Sequence, residues 1–180
     1  MPDRAVSSAE LTGVCQRLAA YYTALAEKET ARGAAGYARL DKERTQCLIL
    51  VKRCLESELW QELRILVWAI DVYLEHQGYW TERMTVVNIL LTAAYKTHDS
   101  EIESWCLNNL GYIYWRRGNN LKALSCYERS LPIWIELGNK KEEGQTINNI
   151  SQVYHSQGDY DTALQYLEQS LSIRQEIGDK

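Results

Sequence analysis

The chain has 180 residues, of which 46% are hydrophobic and 24% charged, and its formal net charge is −4. This balance excludes a disordered chain, because enough apolar surface is present to offset the entropy lost on folding. A net charge so close to zero provides no polybasic surface, so we expect neither nucleic acid nor an anionic membrane as a partner. The sequence has no apolar run near the roughly 20 residues that cross a bilayer and no hydrophobic signal behind its first residues.

Apolar residues recur at steps of three and four along most of the chain, which predicts helices. We predict a first helix at 7–31, ended by Gly33 and Gly36, and further helices at about 38–57, 58–77, 80–97, 100–117, 120–137, 141–157 and 160–177. Connections of two to five residues make neighbouring helices antiparallel. Ser100 and Glu103 are predicted to form a capping box at the start of the fifth helix. No strand pattern is present, so the predicted fold is all-α with about eight helices.

The second half of the chain contains an internal sequence repeat. Residues 108–140 and 148–180 are identical at 13 of 33 positions when offset by 40. The matches include small and turn-forming residues, among them Gly118 with Gly158 and Ala123 with Ala163. A third, degenerate copy lies upstream. In it, Gly78 corresponds to Gly118, and Arg83 stands where the later copies have alanine. A fixed period of this length is typical of a stacked helical array.

These repeats resemble the tetratricopeptide repeat, lengthened from 34 to 40 residues. The resemblance rests on Leu110-Gly111, Tyr114, Gly118, Ala123-Leu124, Tyr127 and Ser130-Leu131, and in the second copy on Ile150, Tyr154, Gly158, Ala163, Leu167 and Ser170-Leu171. It implies a right-handed superhelical solenoid of antiparallel helix pairs. We expect a divergent N-terminal helical segment at 1–59, a degenerate repeat at 60–99, and repeats at 100–140 and 141–180.

A second resemblance covers the whole chain. The run from Leu40-Asp41-Lys42-Glu43 through Trp60 and Gly78-Tyr79-Trp80 into the long repeats looks like the helical arm of bacterial STAND-type signalling ATPases. It implies the sensor or scaffold part of a larger signalling protein, and the absence of a phosphate-binding glycine loop excludes the motor itself. The alternatives are a free-standing peptide receptor or scaffold and, more remotely, an enzyme with an unrecognised site.

No arrangement of residues predicts catalysis. The three histidines, His76, His98 and His155, lack partners at a fixed ligand spacing, and paired acids such as Glu142-Glu143 lie at helix starts, where they complement the helix dipole. The five cysteines, Cys15, Cys47, Cys54, Cys106 and Cys126, have no metal-like spacing. We therefore expect a non-enzyme without metal or cofactor, with reduced buried thiols in the cytoplasm.

Protein or peptide binding does have candidate residues. If Leu110 and Tyr114 pack inward, a different stripe of the same helix carries residues at steps of four and three. In the tetratricopeptide family this stripe lines the concave groove. The resemblance therefore implies a partner-binding set of Trp68, Asn108, Tyr112, Trp115, Arg116, Asn148, Gln152 and His155. The competing interpretation is that the asparagine pairs 108–109 and 148–149 are internal hydrogen-bonders and that Trp115 is packing.

The last helix, 160–177, has more apolar residues than one neighbouring helix can cover. A terminal repeat in an array normally has a polar outer face. We therefore expect the chain to be cut from a longer array, and this helix to carry an exposed apolar patch that is covered by another copy, through self-association, or by the missing repeats.

Overall fold

The computed structural model describes residues 8–178, and in that part of the chain every regular element is an α-helix. The all-α prediction is confirmed. The helices are α1 (Ser8–Thr30), α2 (Ala34–Glu56), α3 (Trp60–His76), α4 (Trp80–Thr97), α5 (Ser100–Arg116), α6 (Asn120–Glu136), α7 (Lys140–Gln157) and α8 (Tyr160–Glu176). None of these eight combines the length and the apolar character needed to span a bilayer.

The predicted helix boundaries lie within a few residues of the observed ones, but Gly36 was assigned the wrong role. Gly36 lies inside α2 and is buried. A β-carbon at this position would overlap the carbonyl oxygen of Glu29 in α1. Gly36 therefore permits a close crossing of α2 over α1, and Gly33, with a φ of 60°, makes the turn between them.

Asp99, and not Ser100, caps the start of α5. Its side chain accepts a hydrogen bond from the amide of Ile102 at 3.0 Å, so the predicted cap is wrong by one residue. The same arrangement begins the next three helices, where Asn119, Asn139 and Asp159 accept from the amides of Lys122, Glu142 and Thr162. A short acceptor side chain satisfies an amide that has no partner within the helix.

Left-handed backbone conformations recur with the same 40-residue period. Inside each pair the turn glycine, such as Gly118, has a φ of 75°. After each pair the corresponding residues are Glu58, His98, Gly138 and Gly178, with φ values of 53°, 54°, 67° and 69°. A residue with a β-carbon adopts this conformation at a cost of about 1–2 kcal/mol. The backbone period therefore extends upstream to residue 58, beyond the region where the side chains still match.

The chain divides into two compact units, 1–93 and 94–180. In the second unit α5 packs against α6, α6 against α7 and α7 against α8. Its core contains Ala123 and Tyr127 from α6 and Ile150 and Val153 from α7, all at most 3% exposed. Half-buried side chains surround this cluster: Tyr114, Trp115, Leu124, Leu131, Tyr154 and Tyr166.

Gly111 of α5 lies directly beneath the ring of Tyr127. A β-carbon at position 111 would come within 2.5 Å of the ring carbon Cε1. Tyr127 is 1% exposed and is itself held by the core cluster, so the ring has no room to move away. Glycine at position 111 is therefore required by the packing of α6 on α5.

A buried serine hydroxyl links the two helices of each repeat in the second unit. Ser130 Oγ donates to the carbonyl oxygen of Ser104 at 3.0 Å, and Ser104 Oγ donates back to the carbonyl of Ser130 at 2.9 Å. One period later, Ser170 Oγ donates to the carbonyl oxygen of Gly144 at 2.8 Å. This shared bond explains why serine is kept at positions 130 and 170.

In the first unit, α1 packs against α2 and α3, and α2 packs against α3. Arg83 of α4 lies at the position of Ala123 and Asp71 of α3 at the position of Gly111, each 40 residues upstream. Arg83 donates Nε and Nη2 to the two carboxylate oxygens of Asp71 at 2.7 and 2.8 Å, and both residues are buried. Arg83 Nη2 also lies 3.0 Å from Oε2 of Glu75. An ion-pair group therefore occupies the two positions that hold Gly111 and Ala123 one repeat later.

Replacement of Arg83 by alanine should destabilise the protein by about 3–5 kcal/mol, because it leaves the Asp71 carboxylate buried without its partner. The double variant Asp71→Leu with Arg83→Met removes both charges and keeps the volume, so it should recover most of this loss. Urea unfolding followed by circular dichroism measures both values. If the single and double variants lost equal free energy of unfolding, the two charges would not compensate each other, and this interpretation would be wrong.

Gly111→Ala should destabilise by about 1–3 kcal/mol through overpacking, despite alanine's better helix propensity. Gly13→Ala in α1 is the matched control. A β-carbon there would meet its nearest atom, Nη1 of Arg17, at 3.6 Å, so this variant should gain up to about 1 kcal/mol. Thermal unfolding of both variants gives the signs directly, and the same sign for both would refute the proposed packing.

Candidate functional site

The predicted stripe on α5 and α7 is partly occupied by internal hydrogen bonds. Asn108 Oδ1 accepts from Asn149 Nδ2 at 3.2 Å, and Asn149 Oδ1 accepts from Gln145 Nε2 at 3.1 Å. Gln145 Oε1 accepts in turn from Arg174 at 3.1 Å. This polar chain connects α5, α7 and α8 within the second unit.

The hydrogen bonds of the asparagine pairs bear on whether these residues bind a partner or form internal hydrogen bonds. Asn109 donates to the carbonyl oxygen of Trp105 at 2.9 Å, inside its own helix, and Asn149 bonds to Asn108 across two helices. These contacts favour the internal role for the second asparagine of each pair and engage the side-chain oxygen of Asn108 as well. Asn108 and Asn148 are half-buried and lie on the stripe itself.

Three residues near the end of α5 form one surface cluster. The rings of Tyr112 and Trp115 lie 5.8 Å apart at 47°, and Arg116 donates Nη1 to the phenol oxygen of Tyr112 at 3.2 Å. Arg116 is exposed and the two aromatic residues are half-buried. Trp115 also packs against the core cluster, so it combines a surface edge with a structural contact.

On α7, Gln152 is half-buried and His155 is exposed. The imidazole of His155 lies 5.3 Å from the ring of Tyr160. These two residues continue the stripe from Asn148 at steps of four and three. The helices α5 and α7 contact each other, so their stripes form one continuous surface in the second unit.

In the first unit, Trp68 is the stripe residue on α3 and is 42% exposed. The guanidinium of Arg64 lies 5.2 Å from its ring centre. A cavity of about 430 Å³ opens between α1 and α3. Its lining on α3 includes Gln61 and Ile65, which precede Trp68 on the same stripe at steps of four and three.

The α1 side of this cavity was not predicted from the sequence. It is lined by Gln16, Ala19, Ala20, Thr23, Ala24 and Glu27. The alanines leave open space where α1 passes α3, and two carboxylates, Glu27 and Glu62, lie at the lining. Glu62 also accepts from Gln16 Nε2 at 3.0 Å. The spacing of small residues along α1 was the available signal, but their helical partner could not be assigned.

A second group that the sequence did not reveal lies around Asp41 of α2. Asp41 Oδ1 accepts from the phenols of Tyr73 at 2.6 Å and Tyr79 at 2.8 Å. Burial and the bond to Asp41 raise the pKa of Tyr73, and the same bond raises the pKa of Tyr79. The neighbouring cavity, lined in part by Arg44 and Tyr73, measures about 10 Å³, which is room for at most one water. The group therefore joins helices rather than enclosing a substrate.

The two cysteines of α2, Cys47 and Cys54, are held as thiols. All five cysteines lie within residues 8–178, none of them forms a disulfide, and four are buried. Burial raises the pKa of Cys47 to about 11 and that of Cys54 to about 12, so these thiols remain protonated and poorly nucleophilic at neutral pH. No group of three or more His, Cys, Asp or Glu side chains in the described part of the chain could hold a metal ion.

Comparison with known proteins agrees with this geometry. A family model described as "Tetratricopeptide repeat" matches residues 102–176. The crystal structure of BtubC (BKLC) from P. vanneervenii is similar, with a TM-score of 0.69 and 19% sequence identity, over 99% of this chain and 69% of that one. No curated protein matches the sequence. The family match identifies tetratricopeptide repeats at residues 102–176, and the structural similarity agrees with the all-α helical-repeat fold. Repeats of this kind typically serve as protein-binding scaffolds.

The raised pKa of Tyr73 predicts a pH dependence of stability. The folded state holds the phenol proton more tightly than the unfolded state does, so its stabilising contribution is complete below pH 10.0, the ordinary tyrosine pKa. It is lost as the pH rises towards the folded value.

Tyr73→Phe should lower stability at neutral pH by about 1.5–3 kcal/mol, since a bond to a carboxylate is lost, and should flatten the decline above pH 10. Urea unfolding at a series of pH values measures both effects, with Tyr160→Phe, an exposed tyrosine, as the control. An unchanged alkaline slope would show that the Tyr73 phenol is not linked to folding.

Proposed function

We propose that this chain is a non-catalytic binding module that holds an extended protein or peptide segment along the stripe of its first helices. The main observation behind the proposal is the 430 Å³ cavity between α1 and α3. Its α3 lining lies on the stripe that continues to Trp68. A preformed cleft beside an exposed aromatic side chain is typical of a recognition surface.

The chemistry of the cavity indicates the kind of segment that fits. Ala20, Ala24 and Ile65 offer an apolar floor for an aliphatic side chain, and Glu27 and Glu62 place negative charge beside it. A segment with a lysine or arginine next to an apolar residue satisfies both features. In the second unit, Asn148 and Gln152 offer amide donors and acceptors of the kind that pair with the main chain of an extended segment.

We further propose that the module is the sensor or scaffold part of a larger signalling protein in the cytoplasm. The support is the resemblance of residues 40–80 and the long repeats to the arm of STAND-type ATPases, together with five cysteines of which none is paired in a disulfide. On this proposal the working segments are 1–59, 60–99, 100–140 and 141–180, with the positive-φ residues Glu58, His98 and Gly138 near their junctions.

The proposal predicts which substitutions weaken binding. The immobilised chain is used to capture partners, which are identified by mass spectrometry and then purified for titration calorimetry. Trp68→Ala should lower the affinity by about 2 kcal/mol, the loss typical of an aromatic hot spot. Arg116→Ala should also weaken binding, with little change in melting temperature. Trp115 is a less suitable probe because its contact with the core couples affinity to stability.

Arg117→Ala is the matched control. Arg117 is exposed like Arg116, but it follows the last residue of α5 and points about 100° further round the helix axis. Its replacement should leave the affinity unchanged. Wild-type affinity in both the Trp68 and Arg116 variants would overturn the proposed binding surface.

A further inference from the structure

The last helix, α8, carries an exposed apolar stripe that the proposed binding function does not use. Leu164, Leu167 and Leu171 are 56%, 43% and 55% exposed. Their counterparts one period earlier are Leu124, Tyr127 and Leu131 of α6. There Tyr127 is 1% exposed, and the two leucines pack against the core cluster that α6 forms with α7.

The repeat therefore shows what covers this kind of face. In the second unit, α7 is the first helix of its pair, and it packs on α6, the second helix of the pair before it. The apolar side of α8 is the corresponding side of a second helix. Its natural occupant is the first helix of a tetratricopeptide-like pair.

The first helix, α1, has an unpaired stripe of its own. Leu11, Val14, Leu18 and Tyr21 follow each other at steps of three and four and are 47%, 40%, 42% and 55% exposed. The other side of α1, with Cys15, Ala19 and Ala26, is buried within the first unit. Among the described residues α1 opens the first pair and has no preceding helix to cover it.

We propose that copies of this chain associate head to tail, with α1 of one copy seated antiparallel on α8 of the next, as α7 is seated on α6. Tyr160, four residues before Leu164 and 64% exposed, extends the α8 stripe by one turn. The two stripes then have similar lengths at 1.5 Å per residue, about 15 Å from Leu11 to Tyr21 and about 17 Å from Tyr160 to Leu171. Arg17 borders the α1 stripe and Glu168 borders the α8 stripe, and both are exposed. Opposite charges at the rim favour this pairing over α8 on α8.

A head-to-tail contact uses two different surfaces, so each copy can bind a neighbour at both ends. Sedimentation equilibrium from micromolar to millimolar concentration should show a mass that rises above the 20.8 kDa of one chain and continues past the dimer. A contact between two α8 helices would stop at the dimer. A mass that remains at one chain throughout this range would overturn the proposal.

Complementary variants test the pairing itself. Leu164→Glu with Leu171→Glu removes the α8 face, and Val14→Glu with Leu18→Glu removes the α1 face. Each variant alone should remain monomeric, since a buried carboxylate without a partner opposes the contact. An equimolar mixture should form a dimer of twice the chain mass, because each variant keeps the face that the other has lost.

Leu121→Glu is the control, because Leu121 is 80% exposed but lies on neither stripe; this variant should associate like the wild type. Circular dichroism and the melting temperature establish that each variant is folded, and the mixture provides a second check, since only folded copies can pair. Dimerisation of the α1 variant by itself, or a mixture that stays monomeric, would contradict head-to-tail association.

Discussion

The repeat architecture depends on how closely the two helices of a pair approach. In the second unit the approach is set by the Tyr127 ring, which lies against the backbone of Gly111 and beside Ala123 in the core. A single added methyl group at position 111 would occupy the space of the ring. Since the same cluster includes Ile150 and Val153 of α7, the contact within one pair also positions the helix of the next.

The first unit meets the same constraint by a different chemistry. With Asp71 and Arg83 at the two equivalent positions, the helices are joined by charge-assisted hydrogen bonds at 2.7 and 2.8 Å. Such a pair gives little net stability over an apolar contact, but it strongly disfavours the loss of either partner. The two substitutions therefore act as one unit, which explains how an arginine occupies a position that is alanine elsewhere.

The sequence predicted the helices well because each one is amphipathic and most turns contain a glycine. It predicted less well where a residue's role depends on a distant partner. Gly36 looks like a helix breaker until Glu29 is placed beside it, and Asp41 looks like a surface charge until two phenols converge on it. Glu58 and His98 adopt turn conformations that favour glycine, and their side chains give no sign of it.

The candidate site shows the same division. The stripe was predictable from helical periodicity, whereas the cavity between α1 and α3 needed the packing of two helices that are distant in sequence. Internal hydrogen bonds hold Asn149, and core contacts partly hold Trp115. These side chains of the candidate surface are therefore fixed before a ligand binds. Preorganised side chains lose little entropy when a ligand binds.

The six tryptophans make the central claim, binding along the first-helix stripe, directly measurable. Nuclear magnetic resonance of the indole N–H groups during titration with a captured partner reports each site separately. Binding along this stripe should shift the signals of Trp68 and Trp115. The signal of Trp134, which is 2% exposed in α6, should stay in place. Saturable binding that leaves the signals of Trp68 and Trp115 unchanged would contradict the claim.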